Sequence, residues 1–281
     1  MRKMSEFVII KPKDVQKINC PLCGSNKHKM VRTNHNLRIV KCSCGLCFVN
    51  PQPTKKFLFK WYNESFYYNP TSEENITRNN RGNEVHKEVV KIITSFKRGG
   101  KILDIGCGPG ALLTYFDKKR YSLAGTEYSD LEISKAKKIT RDIFKGDYLE
   151  ITLHKKFDII TMVEVLEHTQ KPLDYLKKIY TNLNVDGLAV ITVPNNDWML
   201  MKGYMNDLTT MHLFYFNKKT MTESLRKIGF RDIRFHINVK ANYYENWYKT
   251  LVIQVNQLFS FILFRLTGLY KGSGIIVSAR K

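Results

Sequence analysis

The chain of 281 residues is 43% hydrophobic and 25% charged, and its formal net charge is +21 at pH 7. This length suffices to bury a complete α/β core and to carry one small additional module. The short apolar run at residues 7–10 is followed by Lys11, Lys13 and Asp14, a pattern unlike that of a signal peptide, so we expect a cytoplasmic protein.

The first fifth of the chain holds five of the six cysteines, Cys20, Cys23, Cys42, Cys44 and Cys47. In a reducing cytosol, cysteines paired at this spacing hold a metal ion more often than a disulfide. Zn²⁺ is the expected ion, because four thiolates complete its tetrahedral coordination, and such a site folds a module too small for its own core. The alternative is that the cysteines are small buried side chains without a ligand.

Positive charge is concentrated in the same segment. Residues 1–60 hold 13 lysines and arginines against 2 acidic residues, a net charge of +11. A basic module of this kind attracts RNA, an anionic membrane surface or a phosphorylated substrate. The alternative is a lysine-rich surface without a partner, since no nucleic-acid motif accompanies the charge.

A glycine-rich loop follows the strand-like run that begins at Ile102, and it reads Asp104-Ile105-Gly106-Cys107-Gly108-Pro109-Gly110. Glycines let bare backbone approach a ligand, and a helix beginning near Ala111 is expected to direct N–H groups at the same place. This geometry suits a nucleoside-bearing cofactor. Glycine spacing alone also fits a dinucleotide site.

Strand and helix patterns alternate after this loop. Strand-like runs at 121–126, 157–163 and 187–193 are separated by helical patterns, which predicts a mostly parallel sheet covered on both faces. Glu127 follows the first of these runs, at the distance from the glycines expected for a carboxylate that binds a ribose diol.

Five motifs in this order resemble those of class I S-adenosylmethionine (SAM) methyltransferases. They are the glycine loop with Asp104 before it, the acidic residue Glu127, the run 157–168, the Pro-Asn that ends the next strand, and the run 211–216 with the later Gly-Phe pair. The run Glu164-Val165-Leu166-Glu167-His168 is similar to methyltransferases of ubiquinone biosynthesis and of sugar modification.

The resemblance implies an α/β fold, a Rossmann-like sheet of seven mostly parallel strands with helices on both faces. One antiparallel edge strand is expected, with residues 274–279 as the candidate. The resemblance also implies SAM as the cofactor, and its binding residues would be Asp104, Gly106, Cys107, Gly108, Gly110, Glu127, Tyr128, Asp147, Tyr148, Val163, Glu164 and His168.

An N-terminal zinc ribbon accompanies this domain in similar proteins, whose second half reads C-x-x-C-G-L-x-F-x-N-P. Matching that pattern to Gly45-Leu46 and to residues 48–51 places Cys44 at the family ligand position. The resemblance thus implies Cys20, Cys23, Cys42 and Cys44 as ligands, with Cys44 and Cys47 as the alternative second pair. We expect a ribbon at 1–58, a helical and aromatic connector at 59–95, and a methyltransferase domain at 96–281 with a helical insertion at 240–272.

Three side chains are candidate catalytic residues, two of them as bases that remove a proton from the acceptor. His212 lies in the region that the family uses for acceptors, His168 ends the fourth-strand motif, and Tyr215 is placed to assist by hydrogen bonding. Imidazole accepts a proton near neutral pH. Structural roles for both histidines stay open, as does a divalent cation held by Glu164, Glu167 and His168.

The motif combination most resembles methyltransferases that modify sugars at carbon or oxygen, in glycan or secondary-metabolite biosynthesis. The predicted acceptor is therefore a nucleotide-linked or lipid-linked sugar. The alternatives are an RNA methyltransferase that docks through the basic ribbon, and a SAM-binding regulator without turnover. The sequence lacks the Asn-Pro-Pro-aromatic loop of base-amino methylation and the Pro-Cys of cytosine C5 methylation after the fourth strand.

A helical pattern without glycine or proline covers residues 248–266. It is too short and too polar to span a bilayer. Core packing, a dimer face or a lid over the acceptor is the default expectation. An interfacial helix that meets a lipid-linked acceptor at the inner face of the membrane is the alternative.

Overall fold

The structure is a computed structural model that describes residues 10–34, 37–61, 73–196, 211–237 and 274–281. The predicted helical pattern at 248–266 lies outside these residues. Within the described ranges, no helix combines the length and the apolar character needed to cross a membrane.

The N-terminal part is built from short strands around two cysteine-bearing turns. Its elements are β1 (Val15–Gln16), β2 (His28–Asn34), β3 (Leu37–Cys42), β4 (Cys47–Val49) and β5 (Gln52–Pro53). Two helices follow, α1 (Lys55–Trp61) and α2 (Glu73–Phe96). The hydroxyl of Thr54 accepts a hydrogen bond from the Phe57 N–H (3.3 Å), which satisfies one of the unpaired donors at the start of α1.

The remaining elements alternate between strand and helix. They are β6 (Gly100–Ile105), β7 (Tyr121–Glu127), α3 (Asp130–Ala136), β8 (Ile143–Lys145), β9 (Phe157–Val163), α4 (Pro172–Asn182), β10 (Leu183–Pro194), β11 (Phe214–Tyr215), α5 (Lys218–Ile228), β12 (Arg231–Ile237) and β13 (Gly274–Arg280). Helix α5 begins at a reciprocal cap between Asn217 and Thr220 and ends at Gly229, whose φ of +111° suits glycine.

Seven strands form the main sheet in the order β12-β13-β10-β9-β6-β7-β8. Strands β6 to β10 pair in parallel, which confirms the predicted mostly parallel sheet of seven strands. The predicted antiparallel strand is present as β13, but it lies one place in from the edge, because β12 pairs with its outer side.

The centre of the sheet is apolar on both faces. Ile102, Leu103, Ile159, Ile160 and Val190 are each fully buried. Strands covered by helices on both faces need such continuous apolar runs rather than alternating ones. The interior strands therefore hold their carboxyl ends rigidly, and those ends carry the candidate site.

The segment after the glycine loop differs from its prediction. Instead of an α-helix from Ala111, a 3₁₀ helix spans Leu112–Tyr115, and the chain is already extended at Phe116. The hydroxyl of Thr114 donates to the Ala111 carbonyl (2.7 Å), a local bond of the kind that competes with helix extension. So short a turn contributes little helix dipole to the loop.

Strand β11 joins the N-terminal sheet rather than the main one. The second sheet has the order β11-β4-β3-β2, with β11 antiparallel to β4. The predicted division into a ribbon, a connector and a methyltransferase domain stays a prediction. Strand β11, which lies in the predicted methyltransferase domain, nevertheless belongs to the sheet of the predicted ribbon.

Candidate active site

A cavity of about 550 Å³ opens at the carboxyl ends of β6, β7, β8 and β9. Ligands of open parallel sheets bind at this edge, and the volume is that of a typical small-molecule site. Nine of the predicted cofactor residues line it: Gly106, Gly108, Glu127, Tyr128, Asp147, Tyr148, Val163, Glu164 and His168. The structure thus brings together residues from four separate motifs.

The Glu127 carboxylate organises the floor of this cavity. Its Oε2 accepts a hydrogen bond from the Gly108 N–H (2.9 Å), and its Oε1 accepts from the N–H groups of Tyr128 (2.6 Å) and Ser129 (2.9 Å). Each carboxylate oxygen has about two acceptor sites. Oε2 therefore retains one acceptor site, which fits a ribose hydroxyl of the implied SAM.

Bare backbone lies beside that carboxylate. A Cβ at Gly108 would meet no heavy atom within 4 Å, whereas one at Gly106 would lie 2.7 Å from Val165 Cγ2. Both glycines have positive φ, 67° for Gly106 and 52° for Gly108. The loop therefore needs glycine both for its conformation and for close approach of a ligand, as a nucleoside cofactor requires.

Three predicted cofactor residues, Asp104, Cys107 and Gly110, do not line the cavity. A Cβ built at Gly125 would lie 2.7 Å from Cys107 Sγ, so this thiol packs against β7, and burial raises its pKa. Gly110 has a φ of +82° and packs beside Ile139. Cys107 and Gly110 therefore determine the conformation and packing of the glycine loop and do not contact the cavity.

Asp104 is buried behind the loop, with 3% of its surface exposed. Burial raises its pKa to about 7, and the negative charge of Glu127 acts in the same direction. The Thr161 hydroxyl donates to Asp104 Oδ1 (2.7 Å) and opposes this shift. The pKa of Asp104 thus lies near neutral pH, and its carboxyl group is buried behind the glycine loop.

Helix α4 contributes Tyr175 to the cavity lining, which the sequence patterns did not indicate, and Lys178 supports the same wall from outside the lining. The hydroxyl of Tyr175 donates to Asp147 Oδ1, and Lys178 Nζ donates to the carbonyls of Tyr148 (2.6 Å) and Leu149 (3.0 Å). Helix α4 thereby holds the loop after β8 in place. These polar residues lie in an ordinary amphipathic helix, so no local motif marked them.

Helix α1 also reaches the cavity. Lys55 forms ion pairs with Glu150 and with Asp147 (3.7 Å), while the Phe59 ring packs edge-on against Tyr128 at a centroid distance of 5.3 Å. All five side chains line the cavity. The N-terminal part of the chain therefore contributes to the cavity wall.

Glu167, His168 and His212 form a cluster next to the cavity. Their ligand-type atoms all lie within 4.8 Å of one another, and Glu167 Oε1 is 3.8 Å from His168 Nε2 and 3.9 Å from His212 Nε2. The imidazole rings are 4.7 Å apart in an edge-to-face arrangement. Of the three predicted catalytic residues, His168 lines the cavity, whereas His212 and Tyr215 are not among its lining residues.

Hydrogen bonding defines the tautomer of His168. Its Nδ1 lies 3.2 Å from the carbonyl oxygen of Met211. A carbonyl only accepts, so Nδ1 carries the proton and the lone pair of the neutral ring is on Nε2. The Nε2 atom that faces Glu167 is therefore the one able to take up a proton.

Four cysteines lie close together in the N-terminal part of the chain, two before β2 and two at the turn between β3 and β4. Cys20 Sγ and Cys44 Sγ are 3.6 Å apart, Cys23 Sγ and Cys42 Sγ are 3.4 Å apart, and all four thiols lie within 4.8 Å of one another. Zn–S bonds of about 2.3 Å in a tetrahedron place sulfurs about 3.8 Å apart. This donor set therefore fits one Zn²⁺ ion.

Desolvation opposes ionisation of Cys42, but hydrogen bonds from the Cys44 N–H and from neighbouring thiols lower its pKa to about 6. Cys47, the alternative ligand, is fully buried with Leu37, Ile39 and Tyr215 in a separate apolar cluster. The structure thus places Cys42 and Cys44, but not Cys47, beside the first cysteine pair.

Comparisons with known proteins agree with this geometry. A family model described as a methyltransferase domain matches residues 77–234. The mitochondrial ubiquinone biosynthesis O-methyltransferase of Schizosaccharomyces pombe is 31% identical over 103 residues, which are 34% of this chain and 38% of that protein. The (S)-tetrahydroprotoberberine N-methyltransferase of Eschscholzia californica is 26% identical over 146 residues, 43% of this chain and 42% of that one.

The chain spans half or less of the length of these curated relatives. Among solved structures, magnesium protoporphyrin IX methyltransferase from Synechocystis PCC 6803, with bound SAH, has a TM-score of 0.57 at 12% identity. The match covers 81% of this chain and 100% of that one. At this identity the likeness shows the fold.

Substitution of Glu127 tests the cofactor site. Glu127→Gln keeps the shape of the side chain but removes the charge-assisted hydrogen bond to a ribose hydroxyl, worth about 1.5–3 kcal/mol. We expect SAM affinity, measured by calorimetry, to fall about tenfold to a hundredfold, with a folded circular dichroism spectrum. Glu223→Gln, on α5 away from the cavity, is the matched control. Unchanged affinity in Glu127→Gln would remove the assignment.

The buried carboxyl of Asp104 predicts a pH dependence of stability. Its pKa rises from 3.8 to about 7 on folding, so the folded state holds the proton more tightly, and the resulting stability is lost as pH rises between these values. Urea unfolding without SAM should show that Asp104→Asn gains about 2 kcal/mol relative to the native chain between pH 5 and pH 8. Asp174→Asn, at an exposed position of α4, should give the native pH slope. Equal slopes in all three proteins would contradict the prediction.

Proposed function

We propose that this chain, which belongs to the SAM-dependent methyltransferases, transfers a methyl group to a hydroxyl oxygen or an acidic carbon of a sugar. The observation that carries the proposal is the cluster of Glu167, His168 and His212 beside the cofactor cavity. Hydroxyl groups and acidic C–H groups must lose a proton as the new bond forms, and imidazole is suited to accept it near neutral pH.

The residues of the site then have separate tasks. SAM supplies an activated methyl group on its sulfonium. Glu127 and the glycine loop hold the cofactor's nucleoside part, so that placement rather than metal chemistry provides much of the rate. His212 removes the acceptor proton, His168 packs edge-on against it, and the nearly fully buried Glu167 carboxylate faces the imidazolium that results.

Buried amides support a polyhydroxylated acceptor. The Asn196 N–H donates to the Phe216 carbonyl, so Asn196 lies beside the segment that carries His212. Gln52 follows Val49 by three residues, and the Val49 N–H donates to the Leu213 carbonyl on the same segment. Both atoms of the Gln52 amide and Asn196 Oδ1 are buried and make no hydrogen bond in the described structure. Buried polar groups are normally paired. Sugar hydroxyls or ordered waters would satisfy these atoms.

A phenolic hydroxyl of a quinone precursor is the second candidate acceptor. Ubiquinone biosynthesis O-methyltransferases recur among the curated relatives, although each is matched over half or less of its length. The same imidazole base would serve a phenol. A turnover screen with SAM against nucleotide sugars, lipid-linked sugars, quinone precursors and RNA separates the candidates. Turnover on a phenol or RNA alone would overturn the sugar proposal.

The base assignment predicts a specific kinetic defect. His212→Ala should lower kcat by about a hundredfold or more while SAM affinity stays within twofold, because proton removal contributes on that scale. His154→Ala, outside the cavity lining, is the control and should keep wild-type turnover. Steady-state kinetics on the acceptor found in the screen, together with calorimetry for SAM, measure both quantities. Wild-type kcat in His212→Ala would exclude it as the base.

We also propose that Cys20, Cys23, Cys42 and Cys44 hold one structural Zn²⁺. Metal analysis of purified protein should find about one zinc per chain. Cys44→Ala should lose the metal and Cys47→Ala should keep it, since only Cys44 lies with the other three thiols. The reverse pattern, or a fully folded protein without metal, would contradict the proposal.

A further inference from the structure

We infer that the four-cysteine ribbon is a positioning element for His212, because its strand β4 holds the chain segment on which this histidine lies. The significance for catalysis rests on the proposed function. The placement itself rests on backbone contacts, which do not depend on the identity of the acceptor.

Leu213, the neighbour of His212, is fixed from both sides. Its carbonyl accepts a hydrogen bond from the Val49 N–H of β4 (2.9 Å), and its own N–H donates to the Glu167 carbonyl (2.7 Å). One residue thus connects the ribbon to the Leu166–His168 turn of the catalytic cluster. A shift of β4 would move the His212 backbone relative to Glu167.

Strand β11 has little means of holding its position alone. It is two residues long, and in the described sheets its only partner is β4, where Phe214 lies opposite Phe48 and Tyr215 opposite Cys47. The stacked rings of Phe48 and Phe214 are 6.1 Å apart. Such short strands are not stable by themselves in water. Within the described sheets, the register of β11, next to His212, is therefore set by the ribbon.

Backbone strain before His212 strengthens this dependence. Met211 has a φ of +49°, in the left-handed region that non-glycine residues seldom adopt. Such a conformation persists only where surrounding contacts enforce it. The contacts here are the His168 Nδ1 bond to the Met211 carbonyl and the Val49 bond to Leu213.

The two turns that carry the cysteines determine the position of β4. The turn between β3 and β4 carries Cys42 and Cys44, and it is closed by the Gly45 N–H to the Cys42 carbonyl (2.9 Å). A second turn carries Cys20 and Cys23, with the Gly24 N–H donating to the Cys20 carbonyl (2.8 Å). A metal ion shared by the four thiols would join these turns and so fix β4, the strand that follows.

Histidine NMR tests the inference without any acceptor. The chain has seven histidines, which ¹³C-histidine labelling makes visible, and His168→Gln and His212→Gln variants assign the relevant signals. A chelator followed by stepwise zinc addition varies the occupancy of the cysteine site. We expect the His212 and His168 signals to move in proportion to bound zinc, to completion at one equivalent.

Two other histidines serve as internal references. His28 packs its ring against Phe48 in the ribbon and should follow the metal, whereas His236 bonds to Ser278 in the main sheet and should not. A His28 signal that moves while His212 stays unchanged would overturn the inference. If His212→Gln retains full turnover while the metal still moves the wild-type His212 signal, the proposed base fails and the positioning stands.

A backbone variant tests the same inference if zinc removal unfolds the whole chain. Val49→Pro deletes the N–H that bonds to Leu213 and leaves all four thiols in place. It should retain a tetrahedral thiolate spectrum with Co²⁺ and SAM affinity within twofold, with shifted His212 signals and a kcat lowered about tenfold. Val31→Pro, at the bulge of the edge strand β2, is the matched control. Unshifted His212 signals in metal-loaded Val49→Pro would contradict the inference.

Discussion

The hydrogen bonds that the Glu127 carboxylate accepts are the interactions on which the candidate cofactor cavity depends. It accepts hydrogen bonds from the glycine loop through Gly108 and from the start of α3 through Tyr128 and Ser129. Two segments that follow different strands, the glycine loop after β6 and the start of α3 after β7, are thereby held around one charged group. Backbone N–H groups supply these bonds, so the arrangement does not depend on the neighbouring side chains. The Glu127 carboxylate still has one acceptor site, on Oε2, for a ligand in the cavity.

Local sequence was sufficient where structure follows from local physics. Apolar runs predicted β7 and β9, the Gly-Phe pair marked the end of α5, and the glycine loop with Glu127 located the cavity. Each of these features is encoded within a few consecutive residues. The short 3₁₀ helix Leu112–Tyr115 was not predicted, because glycine spacing says nothing about how soon the chain must turn toward β7.

Long-range pairing explains what the sequence did not reveal. The inner position of β13 depends on β12. The contribution of Lys55 and Phe59 to the cavity depends on the contacts of α1 with the segments that follow β7 and β8. Cys47 has the same chemistry as the other cysteines, and only its orientation into the cluster with Tyr215 separates it from them. Such outcomes are decided by packing between segments that are distant in the chain.

The N-terminal ribbon and helix α1 at its end contact both halves of the candidate site. Helix α1 reaches the cofactor side, where Lys55 pairs with Asp147 and Phe59 with Tyr128. Strand β4 reaches the segment of His212, the proposed base, through Leu213. A module too small for a large core gains stability from a metal and from such contacts together. The contacts that stabilise the ribbon and α1 are therefore also contacts of the cavity wall and of the His212 segment.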